Sequence, residues 1–310
     1  MPEPTATQLP FEPMANHFVS TSEITVDGIE TKLQAAKNKL KAALQQHHGS
    51  TKNPDVMAAV DELVAMNPTK NAVASPLLLG EFIAHTSPDF PGRIKPAAGQ
   101  ETVVQYTMGR LSFGIFQPHH LVCTIRSVRN SILECEEEDL QVDGQKTFVY
   151  PIQIDLTIHT PKGDLPATMC HSALCYVLPD HENRLGVTFR GGSLTPTYEV
   201  RSDPKRMAVW EEVFDSAYSK AEQERSLMAS VLQYIFKAVF QLSTPTDEDA
   251  KNDKQHAVKF DMKRSPRGYL DVLYLDEDIR VTRGNRGTII VVERVPSSTK
   301  RVFRQAPALN

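Results

Sequence analysis

The sequence has no long apolar stretch and few of the residues that build metal or disulfide centres. No apolar run reaches the roughly 20 residues of a membrane-spanning helix, and no signal-peptide core is visible. The four cysteines form no C-x-x-C pair, which favours free, buried thiols in a reducing compartment. No phosphate-binding glycine loop, nucleophile elbow or Cys/His nucleophile signature occurs. These absences argue against most hydrolase and nucleotide chemistry but leave other enzymes and binding roles open.

Neither the net charge nor the spacing of possible metal ligands indicates a further partner. The net charge of −4 provides no general attraction to nucleic acid, so we expect no nucleic-acid partner. His119, His120 and Cys123, or His171 with its neighbouring cysteines, do not have the spacing of a zinc site. Strand alternation also places His120 and Cys123 on opposite faces. We therefore expect no metal, no cofactor and no catalytic residues.

The most informative segment predicts three short strands near the C-terminus. Leu270 to Leu275 is almost entirely apolar, residues 279–282 alternate between apolar and polar, and Thr288 to Val292 is rich in β-branched residues. The turn between the last two strands favours positive φ at Gly284 or Asn285. Such a meander suits a small β-barrel whose interior can hold one apolar ligand.

The preceding chain adds further strands. Six β-rich segments and the interval Gly80 to Thr86 bring the total to about ten candidates, near the size of a closed or half-closed barrel. The six segments are Glu101–Met108, Leu111–Phe116, Leu121–Glu137, Phe148–Thr160, Ala167–Leu178 and Leu185–Phe189.

Helices are predicted in two places. A helical hairpin begins with an apolar stripe from Ile29 to Leu44 and continues from Asn53-Pro54, where proline occupies the first helical position. We expect this hairpin to plug or flank one end of the barrel. A helical insertion over 203–242 begins at Asp203-Pro204 and carries a nearly uncharged half, Ser226 to Leu242. Packing on the barrel is the favoured interpretation of that half, and an interfacial membrane anchor is the alternative.

The C-terminal segment resembles the signature of the plastid lipid-associated proteins, also called fibrillins. The matching residues are Tyr274-Leu275-Asp276, Arg280, Arg283-Gly284-Asn285, Gly287 and Arg294. A second stretch, from Val60 through Asn67-Pro68 to Leu77–Thr86, is similar to the entrance segment of the family, with Phe82 where the family often has Trp. A third, weaker similarity covers Phe189 to Leu194. The resemblance implies one domain over 28–295, with a leader at 1–27, a linker at 243–257 and a tail at 296–310.

The resemblance implies a mainly β fold, a lipocalin-like antiparallel barrel that binds or shelters lipids, prenylquinones or carotenoids at thylakoids or plastid lipid bodies (plastoglobules). One arginine is expected to stack on Phe82 at the barrel end, as in lipocalin-type barrels. Pairing of an arginine with a lipid head group or a quinone carbonyl is the functional alternative. The candidate ligand-binding residues are Phe82, Tyr106, Phe113, Phe116, Phe189, Tyr274, Arg280 and Arg283.

Three roles and two locations remain open at this stage. The favoured role is a non-enzymatic protein that binds an apolar small molecule or lipid, with peripheral contact to a membrane or lipid body. An enzyme with its site in the barrel mouth and a lipid-body coat protein without an internal ligand are the alternatives. The family resemblance predicts a plastid location. Residues 1–31 contain five acidic residues and no Lys or Arg, unlike a transit peptide, so a cytoplasmic location is the alternative.

Overall fold

The computed structural model describes residues 26–90, 92–99, 102–114, 117–135, 140–223, 256–262 and 267–296. The helices are α1 (Val26–Gln46), α2 (Pro54–Val64), α3 (Met108–Leu111), α4 (Tyr198–Arg201) and α5 (Pro204–Gln223), with a 3₁₀ turn at Pro76–Leu78. The strands are β1 (Phe82–Ala84), β2 (Val104–Thr107), β3 (Val122–Asn130), β4 (Leu133–Glu134), β5 (Thr147–Thr160), β6 (Gly163–Val177), β7 (Arg184–Pro196), β8 (Val258–Asp261), β9 (Arg267–Leu275), β10 (Ile279–Gly284) and β11 (Ile289–Arg294).

Several predictions concern parts of the chain that lie outside the described residues. These are most of the leader, Phe116, the Ser226–Leu242 half of the helical insertion, most of the linker and nearly all of the tail. Of the described helices, none is long and apolar enough to cross a membrane.

Eight antiparallel strands close into a barrel. The circuit runs β3–β1–β11–β10–β9–β7–β6–β5 and returns to β3 through the β3–β5 pairing. The strands β2, β4 and β8 lie outside this circuit and pair with β3, β5 and β7. The predicted fold class, a mainly β, lipocalin-like barrel with N-terminal helices, is confirmed. The strand meander at the C-terminus supplies three of the eight barrel strands.

The predicted interval Leu111–Phe116 is not a strand where the structure describes it. Met108 to Leu111 forms the single turn α3, and residues 112–114 form a turn. Met108 and Leu111 are both buried in one apolar cluster. A spacing of three residues places them on the same face of a helix, whereas strand alternation would separate them. Burial of this pair therefore favours helix over strand.

The helical hairpin covers the outer wall of the barrel rather than one end. Its two helices share an apolar cluster with strands β9, β10 and β11, through residues such as Leu40, Leu63, Ile279 and Val281. Helices of 21 and 11 residues cannot lie inside an eight-stranded barrel, so this face of β9–β11 is the outer one. Side chains of the opposite parity, including Arg280, therefore face the interior.

Asn67 joins the end of the hairpin to the C-terminal meander. Its side-chain oxygen accepts hydrogen bonds from the backbone amides of Leu275 and Thr69, at 3.1 and 3.2 Å. The Thr69 hydroxyl in turn donates to the carbonyl oxygen of Leu275 at 2.6 Å. The Asn-Pro segment and the Tyr-Leu-Asp segment thus form one structural unit, although 208 residues separate Asn67 from Leu275.

Positive φ in the last turn occurs at Gly287, at 82°, and the prediction of Gly284 or Asn285 is wrong. The backbone of β10 continues through Gly284, whose amide donates to the carbonyl of Thr288. Strand pairing therefore keeps Gly284 extended, and the chain reverses after it.

This turn gives a matched pair of variants. Gly287→Ala should lower the free energy of unfolding by about 1–2 kcal/mol, because a Cβ disfavours the left-handed region. No atom lies within 4 Å of the position of that Cβ, so steric crowding adds nothing. Gly284→Ala is the control, since its Cβ would meet only an atom at 3.9 Å. Urea unfolding of both variants measures the difference, and equal stabilities would contradict the backbone argument.

Candidate ligand site in the barrel interior

One end of the barrel is closed by an arginine, an aromatic ring and a 3₁₀ turn. The guanidinium of Arg294 lies over the Phe82 ring, 4.5 Å from its centroid. Its nitrogens donate to the carbonyl oxygens of Leu77, Leu79 and Glu277 at 2.5, 2.7 and 2.6 Å. These bonds satisfy carbonyl groups in and next to the turn at Pro76–Leu78, and the Phe82 ring packs against the guanidinium. The predicted stacking of an arginine on Phe82 is present, and its role here is structural.

A second guanidinium, that of Arg280, stacks on the same ring from the barrel interior. Its central carbon lies 4.2 Å from the Phe82 centroid, and the side chain is 1% exposed. Nη2 donates to the side-chain oxygen of Asn130 at 2.5 Å and to its carbonyl oxygen at 3.2 Å. The Asn130 side-chain amide donates to the hydroxyl of Tyr150 at 2.8 Å. We call Arg280, Asn130 and Tyr150 the Arg280 cluster.

The Arg280 cluster carries a positive charge that the described residues do not balance. Burial lowers the pKa of Arg280 to about 10, which still leaves it charged at neutral pH. Burial raises the pKa of Tyr150 and raises that of nearby Cys175 to about 12, so both groups are neutral. Among the described residues no carboxylate pairs with Arg280. An isolated charge in an apolar interior is expensive, which makes this arrangement unusual for a purely structural arginine.

Two hydrogen-bond donors of the cluster lack acceptors. The Nε atom of Arg280 is buried and has no hydrogen-bond partner. The Tyr150 oxygen accepts from Asn130, but its own proton has no acceptor among the described residues. Buried donors are normally satisfied, and unpaired ones require an explanation. The cluster therefore presents positive charge and free donors to the interior.

A second buried polar side chain of the interior is that of His171. This residue of β6 pairs with Ile152 and Gly192 on the neighbouring strands, and its exposed fraction is 5%. Burial lowers the pKa of His171 to about 4, so the ring is neutral, and its Nδ1 atom has no partner. Two aromatic rings contact it, and a third contacts one of them. Phe113 and Phe260 approach the imidazole at centroid distances of 5.2 and 6.0 Å, and Phe189 contacts Phe113 at 5.1 Å.

The apolar wall connects these two positions. Ile152 and Phe189 pack against both of the large interior clusters, one around Tyr150 and Val272 and the other around Met169. Apolar side chains therefore continue from the cluster around Tyr150 and Val272 to the cluster around Met169, with Ile152 and Phe189 between them.

Two predicted ligand-binding residues face outward. Arg283 is exposed and donates to the Asp271 carboxylate at 3.2 Å, a contact that Asp271 shares with Arg184. Tyr274 packs beneath α1 and α2, and its hydroxyl donates to Asp276 at 2.5 Å. Tyr274, predicted to line an apolar cavity, and Arg283, predicted to bind a ligand, therefore both lie on the outer wall of the barrel.

A β-bulge explains the position of Tyr274. Simple alternation from Leu270 and Val272 predicts that Tyr274 shares their inward face. The register of β9 against β10 shifts, however, so that Val272 pairs with Thr282 but Tyr274 pairs with Val281. Leu275, rather than Tyr274, then joins the interior cluster. One extra residue in a strand is enough to reverse the face of everything beyond it.

The remaining predicted aromatics divide between the interior and its edge. Tyr106 is buried on the inward side of β2, but its hydroxyl is occupied by the Phe90 amide at 2.9 Å and the Pro88 carbonyl at 3.2 Å. Phe113 and Phe189 lie together beside His171, with Phe113 47% exposed. Whether any of these residues touches a ligand stays a prediction.

Sequence reasoning missed Asn130, Tyr150 and His171 as interior residues. Tyr150 alternates with Phe148 and Ile152 on a strand, a signal that places it on the inward face. Asn130 is the last residue of β3, and no local sequence pattern indicates its role. The sequence drew attention to His171 only because Cys170 and Cys175 lie near it in the chain. Both cysteines are buried free thiols, and Cys170 packs in a separate apolar cluster.

A Thr–His–Asp arrangement on the outer surface does not form a convincing active site. The Thr124 hydroxyl contacts Nε2 of His159 at 2.7 Å, and Nδ1 of His159 contacts Asp164 at 2.8 Å. Gln105 also donates to the Thr124 hydroxyl at 3.0 Å. His159 and Asp164 are exposed, and the backbone amides along β3 and β5 are committed to sheet pairing. Because the backbone amides of these strands are committed to pairing, they supply no preorganised donors for a developing oxyanion.

Comparison with known proteins finds one similarity, to a family model that covers part of the chain. Residues 182–293, from the start of β7 to the end of β11, match the PAP_fibrillin family model. Over this segment the chain is similar to the PAP/fibrillin family. This match includes Arg280 and Phe189 but not the strands that contribute Phe82, Asn130 and Tyr150. No curated protein and no solved structure matches the chain.

The PAP/fibrillin match and the barrel together fit a structural, lipid-associated protein of a plastid-associated family. Members of this family are generally structural rather than enzymatic. Neither the match nor the fold names a ligand.

Proposed function

We propose that this protein binds an apolar molecule, of the lipid, prenylquinone or carotenoid class, inside its barrel. The observation that carries the proposal is the pair of buried polar side chains, Arg280 and His171, whose unpaired nitrogens lie among the apolar clusters of the interior. Ligand sites are typically apolar with a few convergent polar groups that orient the ligand. The proposal includes an internal apolar pocket between the two positions, and a plastid location at thylakoids or plastid lipid bodies.

The alternatives receive less support from the described residues. Among the described residues, His171 contacts aromatic rings and no carboxylate, so it lacks the partner of an acid–base pair. The described part of α5 buries Trp210 and Phe214 in the cluster that also contains Val258 of β8. This half of the insertion packs on the barrel instead of presenting an apolar coat.

Protein purified from its own cells should carry its ligand through gentle isolation. Native mass spectrometry should show a mass above that of the polypeptide, and organic extraction should release an apolar compound in about one equivalent, as expected for a barrel of eight strands. The Arg283→Gln variant, altered on the outer wall, should retain the compound. Protein that is folded and free of any extractable compound, and that takes up none from added plastid lipids, would refute the proposal.

A further inference from the structure

The charge of the Arg280 cluster identifies the head group that it would accept. We infer that Arg280, Asn130 and Tyr150 form a carboxylate subsite, so that the barrel takes a long-chain carboxylic acid with its head group toward the closed end. This inference rests on the proposed function and names the ligand class of the same interior. Three requirements follow from the cluster, and a carboxylate meets all of them.

The first requirement is a single negative charge. The cluster holds one cation, and the nearest groups that could become anionic, Tyr150 and Cys175, stay protonated. A monoanion would neutralise the buried guanidinium, whereas an alcohol or a quinone carbonyl would leave the charge unbalanced. A phosphate would bring up to two negative charges to one available guanidinium, since that of Arg294 already donates to three backbone carbonyls.

The second requirement is an acceptor with two oxygens. The Nε atom of Arg280 has no partner, and the Tyr150 hydroxyl keeps an unused proton. Asn130 bridges the two residues, with hydrogen bonds of 2.5 Å to Arg280 and 2.8 Å to Tyr150, so both free donors belong to one network. A carboxylate is acceptor-only, and its two oxygens allow it to receive both donors at once.

The third requirement is an apolar chain that leads away from the closed end. Phe82 and Arg294 seal the interior behind Arg280. Thr282 is the buried polar residue next to Arg280 on the inward face of β10, and the apolar side chains of the interior continue through Ile152 and Phe189 to the cluster around Met169. A ligand with one carboxylate and one long hydrocarbon chain matches this order of polar and apolar surfaces.

The test compares two probes that share a chain and differ in head group. Purified full-length protein, stripped of bound compounds, is titrated with oleic acid and with oleyl alcohol by isothermal calorimetry below their aggregation limits. The wild-type protein should bind oleate at least about tenfold more tightly than the alcohol, since a hydrogen bond to a charged group is stronger than a neutral one. Equal affinities would overturn the carboxylate subsite and leave the proposed binding of apolar molecules intact. Failure of both probes and of plastid lipids would instead refute the proposed function.

Variants assign the preference to the cluster. Arg280→Gln should lower oleate affinity at least about tenfold and change that for oleyl alcohol less than about twofold. Arg283→Gln, on the same strand but on the outer face, is the control and should bind both probes like wild type. Arg280 also stacks on Phe82, so Tyr150→Phe provides a second variant that keeps the ring and removes only the hydroxyl. Tyr150→Phe should lower oleate affinity and spare the alcohol. Folded variants that lose both probes equally, or neither, would contradict the inference.

Discussion

A chain that ends at Pro266 should accumulate as insoluble protein. Such a truncation removes β9, β10 and β11, three of the eight strands of the closed circuit. Strands β1 and β7 would then each present an unpaired edge, and exposed edges promote association between chains. The outer cluster beneath α1 and α2 would also lose its partners, among them Ile279, Val281 and Val291. The effect should be close to complete loss of folded protein.

A chain that ends at Pro296 is the matched control for this truncation. It retains all eight barrel strands and should remain soluble and unfold cooperatively. Expression of the two chains side by side, with sedimentation and thermal unfolding of the soluble fraction, measures the difference. Soluble protein that unfolds cooperatively without residues 267–296 would show that the first five strands of the circuit fold without closure.

Asp276→Asn should lower the free energy of unfolding by about 3 kcal/mol, the low end of the cost of breaking a buried ion pair. The carboxylate of Asp276 receives the Lys37 ammonium at 2.5 Å and the Tyr274 hydroxyl at 2.5 Å. Its other oxygen accepts the backbone amides of Asp278 and Ile279 at 2.8 and 2.7 Å. Lys37 and Asp276 are about nine-tenths buried, and together they fasten α1 to the β9–β10 turn. Lys37 keeps its contact to Asp278, which limits the loss.

Two comparisons test this assignment by urea unfolding. Asp278→Asn removes the more exposed partner of Lys37 and should cost less than about 1 kcal/mol. The double variant Lys37→Met, Asp276→Asn should be more stable than the Asp276→Asn single variant, because it leaves no buried charge without a partner. Equal losses for Asp276→Asn and Asp278→Asn would show that burial of the pair contributes nothing.

The same carboxylate should give a pH dependence with a defined sign. Burial opposes the charged form, but hydrogen bonds from Lys37, Tyr274 and two backbone amides outweigh it, so the pKa of Asp276 lies below its usual value. A depressed pKa means that the stabilisation is complete above the unfolded value of about 3.9 and is lost as the pH falls through the lower folded value. Wild type should lose stability below about pH 4, and Asp276→Asn should lose less there.

The local elements of this fold were largely predictable from sequence. Asn53 caps α2 by accepting the amide of Asp55, and Asp203 caps α5 by accepting the amide of Lys205 at 2.9 Å, both as their Asn-Pro and Asp-Pro sequences predict. The strand meander near the C-terminus lies where its alternation indicates. Caps and alternation depend on residues a few positions apart, so a sequence pattern is sufficient to reveal them.

The candidate site was predictable only in part. Phe82 and Arg280 lie together in the interior, and the resemblance to a known family had singled out both. Asn130 and Tyr150 complete the cluster, but nothing in their local sequence relates them to Arg280. Tyr274 and Arg283 belong to the same signature as Arg280 but lie on the outer wall of the barrel. A shared motif therefore did not mean a shared site.

The sequence by itself determined the kinds of elements, their order and the residues that begin or end them. Only the tertiary structure decided which side chains meet inside the barrel. Arg280 and Asn130 are 150 residues apart and become neighbours because barrel closure and strand register bring β10 opposite the end of β3. A single bulge in β9 reverses the face of Tyr274. Register and closure are set by the packing of the whole sheet, which no local pattern contains.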